Sequence, residues 1–282
     1  MTEGGGSFRA RQRVPNCLFA SNSKSQRFAG EVGWAIRNPK FEIRNLWLGW
    51  VVISSSRMYI SETFTSIQGE GILAGVPSFF IRTSGCNLRC RWCDTPYTSW
   101  LPEGERVPVS RLLGEAVDSG VRHVVLTGGE PLLQREVGVL TEELRKADFH
   151  ITVETAGTVD PAFHCDLLSL SPKTANSDPP GPAGERHRRR RSDIGPIRRL
   201  LKRFPQHQLK FVVEDADDLA EILETLDRIG GVAASRVLLM AQGRSAEEVA
   251  QRAPGVAALC LEHGFRYTPR LHMDLFGGGR GV

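Results

Sequence analysis

The chain has 282 residues, 40% hydrophobic and 24% charged, which is ordinary for a folded protein and enough for one large domain or two small ones. Its formal charge of +4 is unevenly placed: residues 1–57 hold nine Lys and Arg against three Asp and Glu, and the remainder holds 27 against 29, so the basic excess is no argument that the main body binds nucleic acid. The longest apolar run, LWLGWVVI at 46–53, falls far short of the roughly 20 residues that span a bilayer and lies too deep for a signal-peptide core, so a cytoplasmic protein without membrane contact is expected.

Residues 1–57 open with MTEGGGSFRARQR and show no clear periodicity. They are expected to be an extension without a fold of its own, with Met58 as the start of a single domain over 58–282. A chain beginning at Met58 is expected to be soluble and active. From there strands and helices alternate. SFFIRTSG (78–85) is a short apolar strand, PVSRLLGEAVDSG (108–120) a helix stopped by Gly120, and VRHVVLTGGEP (121–131) a buried-type strand. LLQREVGVLTEELRKA (132–147) reads as an amphipathic helix, with FHITVETAGT (149–158) and LLSLSPK (167–173) as strands. A basic, Pro-rich loop follows, whose RHRRRR run (186–191) is expected to be solvated charge. IGPIRRLLKRF (194–204) is a short helix, HQLKFVVE (207–214) a strand, and DADDLAEILETLDRI (215–229) a helix opened by Asp215. SRVLLMAQG (235–243) is a strand, SAEEVAQRAPGVAALCLEHG (245–264) a helix interrupted near Pro254, and FRYTPRLHMDL (265–275) a last strand.

Buried strands alternating with helices imply an α/β fold with a parallel sheet. The chemically interesting residues fall at strand C-terminal ends, where α/β barrels build their sites. Six or seven candidate strands are too few for eight units, so an incomplete, open TIM-like barrel is expected.

Three of the six cysteines, Cys86, Cys90 and Cys93, form a C-x3-C-x2-C cluster, while Cys17, Cys165 and Cys260 are scattered and read as small hydrophobes. Three thiolates suit a soft metal and leave one coordination place open. The spacing alone admits a catalytic zinc, a zinc completed by a distant His, or a [4Fe–4S] cluster with one iron not held by protein.

The triad followed by Gly128-Gly129-Glu130-Pro131 resembles the radical S-adenosylmethionine (radical SAM) superfamily. In that superfamily SAM occupies the open iron and one-electron cleavage of SAM yields a 5′-deoxyadenosyl radical. SIQGEG (66–71), FIRTSGCNLRCRWCDTPYTSW (80–100), LTGGEPLLQ, VETAGT, SPKTANS, LKFVV and FRYTPRLHMDLFGGGRGV together are similar to the 7-carboxy-7-deazaguanine synthase family, from about residue 58 to the C-terminus.

The resemblance implies a radical SAM core that contracts 6-carboxy-5,6,7,8-tetrahydropterin to 7-carboxy-7-deazaguanine with loss of ammonia, for queuosine and other 7-deazapurines. It implies a [4Fe–4S] cluster on Cys86, Cys90 and Cys93, SAM, Mg2+ on Thr95, a homodimer, and an electron donor such as flavodoxin or ferredoxin. SAM would meet Trp92, Cys93, Asp94, Gly129, Glu130, Ser171, Pro172, Lys173 and Gln242, the last beside Ala241 where many relatives carry a proline. The pterin would meet Ile67, Gln68, Gly69, Thr127 and Glu154, with Arg82 forking onto its carboxylate. The radical would take hydrogen from C6, and no side chain need act as the catalyst. His272 and Asp274 could face either the site or a dimer interface. Two rivals stand beside this reading: a glycyl-radical-enzyme activase with the same cysteine spacing, and a zinc-binding nucleic-acid module. No nucleic-acid partner is expected.

Overall fold

The computed structural model describes residues 55–282; the expected 1–57 extension and Cys17 lie outside the described residues, apart from its last three positions. In chain order the elements are β1 (Arg57–Ile67), β2 (Pro77–Thr83), α1 (Pro96–Ser99), β3 (Glu105–Pro108), α2 (Val109–Asp118), β4 (His123–Gly128), α3 (Val137–Lys146), β5 (His150–Thr155) and β6 (Leu167–Leu170). There follow α4 (Pro182–Arg191), α5 (Gly195–Arg203), β7 (His207–Val213), α6 (Asp218–Ile229), β8 (Val237–Ala241), α7 (Ala246–His263), β9 (Arg266–Tyr267) and α8 (Leu271–Phe276).

The strands form one sheet in the order β3-β1-β2-β4-β5-β6-β7-β8-β9. β1 runs antiparallel to β2 and β3, and every pair from β2 through β9 is parallel. β3 and β9 are its two edges, so the expected open, incomplete barrel is the architecture found.

Side chains alternate across each strand, and that alternation sorts the residues by task. One parity is apolar and packs under the helices: Phe79 and Ile81, Val124 and Leu126, Ile151 and Val153, Leu168 and Leu170, Leu209 and Phe211 share one core with Leu112 of α2, Leu140 of α3, Leu200 of α5 and Ile222 of α6. The other parity faces the barrel interior and turns polar toward the strand ends. Arg82 is in register with Thr127, and Glu154 with Ser169, which is in register with Gln208. A register shift in β1 between Ile60 and Glu62 sets Glu62 opposite Arg82.

Several elements differ from the sequence reading. The basic run is not a loop: it forms α4, opened by Pro182 behind Gly181 at φ 72°, with Gly184 and His187 buried and Arg191 paired to Asp178 and Glu221. Its partners are distant in sequence, so local composition could not announce them. α7 passes through Pro254 without a break. Pro254 is exposed, and a single missing N–H there costs less than the burial of Val249, Val256 and Cys260 on either side.

The last strand shrinks to Arg266–Tyr267, because Pro269 cannot continue a ladder and residues 271–276 turn helical. Pro131 opens a 3-10 turn and α3 starts only at Val137, because Gln134 is extended and spans Tyr59 N–H and Ser84 O with its side chain. α6 begins at Asp218 rather than Asp215. β3 was not foreseen.

At the foot of the barrel His123 is 4% exposed. Ser78 Oγ gives its hydrogen to Val76 O, so it accepts from His123 Nδ1 at 2.6 Å, and Thr152 Oγ1 donates to Nε2 at 2.8 Å. Burial lowers the imidazole to about 4, with His150 adding to the effect. A depressed histidine binds protons more readily when unfolded, so stability falls as pH drops from about 6.5 toward about 4, by on the order of 2–3 kcal/mol. Urea unfolding at pH 7.5 and pH 5 checks this, and His123→Gln should flatten the decline over that window.

Candidate active site

A cavity of about 500 Å³ opens at the C-terminal ends of the parallel strands. From the loop after β2 it receives Cys86, Cys90, Trp92, Cys93, Asp94 and Thr95. Ile67, Gln68 and Gly69 enter from the end of β1, Arg82, Thr127 and Glu154 from strand interiors, and Gly129, Ser171 and Lys173 from loops. Glu130, Pro172 and Gln242 do not line it. Pro172 and Gln242 are buried. Glu130 is fully buried, and its carboxylate accepts from Leu132 N, Thr155 Oγ1 and Ala156 N at 2.7–3.1 Å, tying the end of β4 to that of β5. Burial raises its pKa against those hydrogen bonds.

The cysteine loop is shaped by backbone contacts. Gly85 N donates to Thr98 O at 2.8 Å, and Glu130 N to Gly85 O at 2.9 Å. A Cβ on Gly128, at φ 123°, would lie 2.2 Å from Thr83 O, and one on Gly129 would lie 2.2 Å from Gly85 O. These glycines let β4 close on the strand end that leads into Cys86. Behind the loop, His187 Nδ1 accepts from Arg89 N at 3.0 Å and Nε2 donates to Ser177 Oγ at 2.9 Å, which fixes the neutral imidazole; burial lowers it to about 4. Arg190 donates to Asn87 O, and Trp100 Nε1 to Cys90 O. Trp92 Nε1 donates to Asn176 Oδ1 at 3.2 Å, and Lys173 Nζ lies 5.9 Å from its ring centre.

Burial raises the thiols of Cys86 and Cys90, to about 11 and about 12. Among the described residues no three His, Cys, Asp or Glu side chains converge on a point suited to one metal ion. Three thiols around one cavity, with no fourth cysteine among the residues lining it, fit an iron–sulfur cluster with an open coordination place. No such convergence surrounds Thr95, so hard-cation binding there would lean on substrate and water oxygens.

The opposite wall is a charged network. Glu154 accepts from Thr127 Oγ1 at 2.9 Å, Lys210 Nζ at 3.2 Å and Gln68 Nε2 at 3.4 Å. Lys210 also binds Glu70 at 2.6 Å; Arg270 Nε stands 3.5 Å from Glu70, and Arg270 Nη2 binds Asp94 at 2.5 Å. Burial alone would raise the Glu70 carboxyl, but Lys210, Arg270 and His272 outweigh it and hold it far below the usual carboxylate range. Burial would likewise lower Lys210, yet Glu154 and Glu70 hold it above the ordinary lysine value. Arg82 Nε is fixed by Glu62 at 2.7 Å, Glu62 also accepts from Tyr97 OH, and the guanidinium lies over Phe64.

Glu70, Lys210 and Arg270 were missed by the sequence reading. A lysine inside an otherwise buried strand, HQLKFVV, is a legible signal, because Lys is almost never buried unless paired. His272 lines the cavity, while Asp274 is exposed. Gly69 serves close approach rather than φ > 0, since a Cβ there would fall 2.1 Å from His272 Nδ1.

Residues 80–228 match the radical SAM superfamily model. The chain is 48% identical over 233 residues to a 7-carboxy-7-deazaguanine synthase of Rhodopirellula baltica, covering 81% of this chain and 90% of that protein. It is 44% identical over 231 residues to the synonymous protein of Halobacterium salinarum, covering 77% and 90%. In fold it is similar to the crystal structure of QueE from Escherichia coli, with a TM-score of 0.56 at 22% identity, covering 78% of this chain and 96% of that one.

Proposed function

The chain belongs to the 7-carboxy-7-deazaguanine synthase family of the radical SAM superfamily, and from that premise we propose how its own residues share the work. The enzyme contracts the ring of 6-carboxy-5,6,7,8-tetrahydropterin to 7-carboxy-7-deazaguanine, releasing ammonia, in 7-deazapurine biosynthesis. The observation that carries the assignment of roles is that three soft thiols and a polar wall with a fixed arginine face one cavity.

Cys86, Cys90 and Cys93 would hold the [4Fe–4S] cluster. When bound, that cluster supplies the electron that cleaves SAM to the 5′-deoxyadenosyl radical, chemistry no side chain provides. Trp92, Asp94, Gly129, Ser171 and Lys173 would line the SAM site, with Glu130, Pro172 and Gln242 shaping it from behind. Glu154, Thr127, Gln68, Ile67 and Gly69 would bind the pterin, whose edge offers both donors and acceptors. Glu62 holds Arg82 by Nε, which leaves its two terminal nitrogens to fork onto the substrate carboxylate. Positioning of C6 is thus the protein's main contribution, since a misplaced radical is lost to side reactions.

Thr95 lines the cavity and opens α1 without a side-chain capping bond; its hydroxyl accepts from Thr98 Oγ1 at 3.3 Å and keeps a lone pair with which it would serve as the protein ligand of Mg2+. Thr95→Ala should raise the Mg2+ needed for half-maximal turnover by about tenfold or more; an unchanged Mg2+ titration removes Thr95 from that role. The reading further assigns a flavodoxin or ferredoxin as electron donor, a homodimer and a cytoplasmic setting. Among the described residues no helix is long and apolar enough to cross a membrane.

The deciding experiment offers the pterin and SAM to the full chain, anaerobically reconstituted with iron and sulfide and reduced with dithionite. Product at the mass of 7-carboxy-7-deazaguanine is expected. Its absence overturns the reading, and a colourless zinc protein would favour the zinc-module rival.

A further inference from the structure

We infer that the outer faces of α4 and α5 form the docking surface for an acidic one-electron carrier protein. The inference rests on the radical SAM reading, which requires an electron from outside. Residues 182–203 hold nine Lys and Arg against two carboxylates, Glu185 and Asp193, whereas the rest of residues 58–282 holds 18 Lys and Arg against 27 Asp and Glu. α4 has no apolar stripe: only Gly184 and His187 of its ten residues are buried.

Part of the charge is consumed within the fold. Arg191 turns inward to Asp178 and Glu221, and Arg199 pairs with Asp160. Arg186, Arg189 and Lys202 are exposed and make no hydrogen bond or ion pair among the described residues. Five arginines in ten helical residues repel one another, and among the described residues Glu185 on the same helix and Asp178, 4.0 Å from Arg188, are too few to balance them. An external anionic surface would supply them.

Position identifies the occupant. The inner side of α4 is bonded to the residues between the first two thiols, through His187 to Arg89 N and Arg190 to Asn87 O. Arg89 is the immediate neighbour of Cys90. A carrier seated on α4 is therefore beside the cysteine loop, where its loss of one electron can reduce the cluster. Residues 182–203 contain no Phe, Tyr or Trp, so stacking platforms for single-stranded nucleic acid are absent from the patch. A patch spread over the outer faces of two helices also suits a macromolecular partner better than a small anion.

The test uses the full chain and purified oxidised flavodoxin as probe, with binding read by flavin fluorescence anisotropy. Wild-type affinity should fall steeply between about 50 and about 300 mM salt. Arg186→Glu with Arg189→Glu should weaken binding at low salt by about tenfold or more. Turnover driven by flavodoxin hydroquinone should fall in parallel, while dithionite-driven turnover stays at the wild-type rate. The inference is overturned if the double variant binds within about twofold of wild type, if dithionite turnover falls as far as flavodoxin turnover, or if the wild type prefers single-stranded RNA to flavodoxin. Wild-type protein inactive even with dithionite counts against the proposed reaction instead, and the binding measurement still decides the docking surface.

Discussion

Replacing Lys210 with Met should destabilise the fold by about 3 kcal/mol at pH 7 and abolish turnover, because removing one partner of a buried ion pair strands the other charge. Lys210 is 3% exposed and stands between Glu70 at 2.6 Å and Glu154 at 3.2 Å. Without its ammonium the two carboxylates share a site with one cation fewer. Arg270 still faces Glu70, which keeps the cost toward the low end of such losses.

The sign of the pH response separates this cause from simple loss of packing. In the wild type the Glu70 carboxyl is held low, so its contribution is present above the unfolded carboxylate range and is lost on acidification. In Lys210→Met that carboxyl is released upward, so the gap between variant and wild type should narrow as pH falls from 7 toward 4. Urea unfolding across that range measures it, and a constant gap would point to packing alone. Turnover suffers for a different reason: Lys210 and Thr127 together fix both oxygens of Glu154.

Gly129→Ala should leave a folded protein that takes up iron poorly and turns over at least about 100-fold more slowly, the scale expected when catalytic groups move by about 1 Å. The new methyl would lie 2.2 Å from Gly85 O and 2.7 Å from Thr98 O. Both are backbone atoms, so no side chain can swing aside. The strain passes to Gly85, next to Cys86. Gly114→Ala is the control: it lies within α2 with nothing within 4 Å of the added carbon, and should be neutral or stabilise by up to about 1 kcal/mol. Circular dichroism, iron content and the pterin assay distinguish the two. Wild-type iron content and rate in Gly129→Ala would show that the close approach is dispensable.

What could be read in the sequence was local. The C-x3-C-x2-C triad, the paired glycines after VVLT and the strand-then-helix rhythm each declare themselves within a dozen residues, while Arg82, Thr127 and Glu154 were implied by the family resemblance; all line the one cavity with the thiols. What escaped was made by distance. Glu70 and Lys210 lie 140 residues apart, and Asp94 meets Arg270 across 176. Nothing near either end announces the other. The arginine run reads as solvent-loving, yet its one histidine faces inward and secures the cysteine loop from behind. Gly69 was expected against the pterin, and the structure adds a second demand on it that no neighbouring residue announces, the arrival of His272 from the far end of the chain. β9 and β3 are short edge strands, defined more by the neighbour they pair with than by their own composition.

The cysteine loop has a consequence for how the holoenzyme is made. Its amides and carbonyls at Gly85, Asn87, Arg89, Cys90 and Arg91 find partners in Thr98, Arg190, His187, Trp100, Glu130 and Ser177. The entropy of ordering this segment is therefore met during folding of the barrel. A small zinc domain behaves differently: there metal binding and folding are one event, and a chelator unfolds the chain. Here the socket can stand ready before iron and sulfide arrive. Stripping them should then erase the visible absorbance and lower the unfolding midpoint by the lost binding energy alone, while the chain stays folded, so that damaged protein can be reloaded rather than remade.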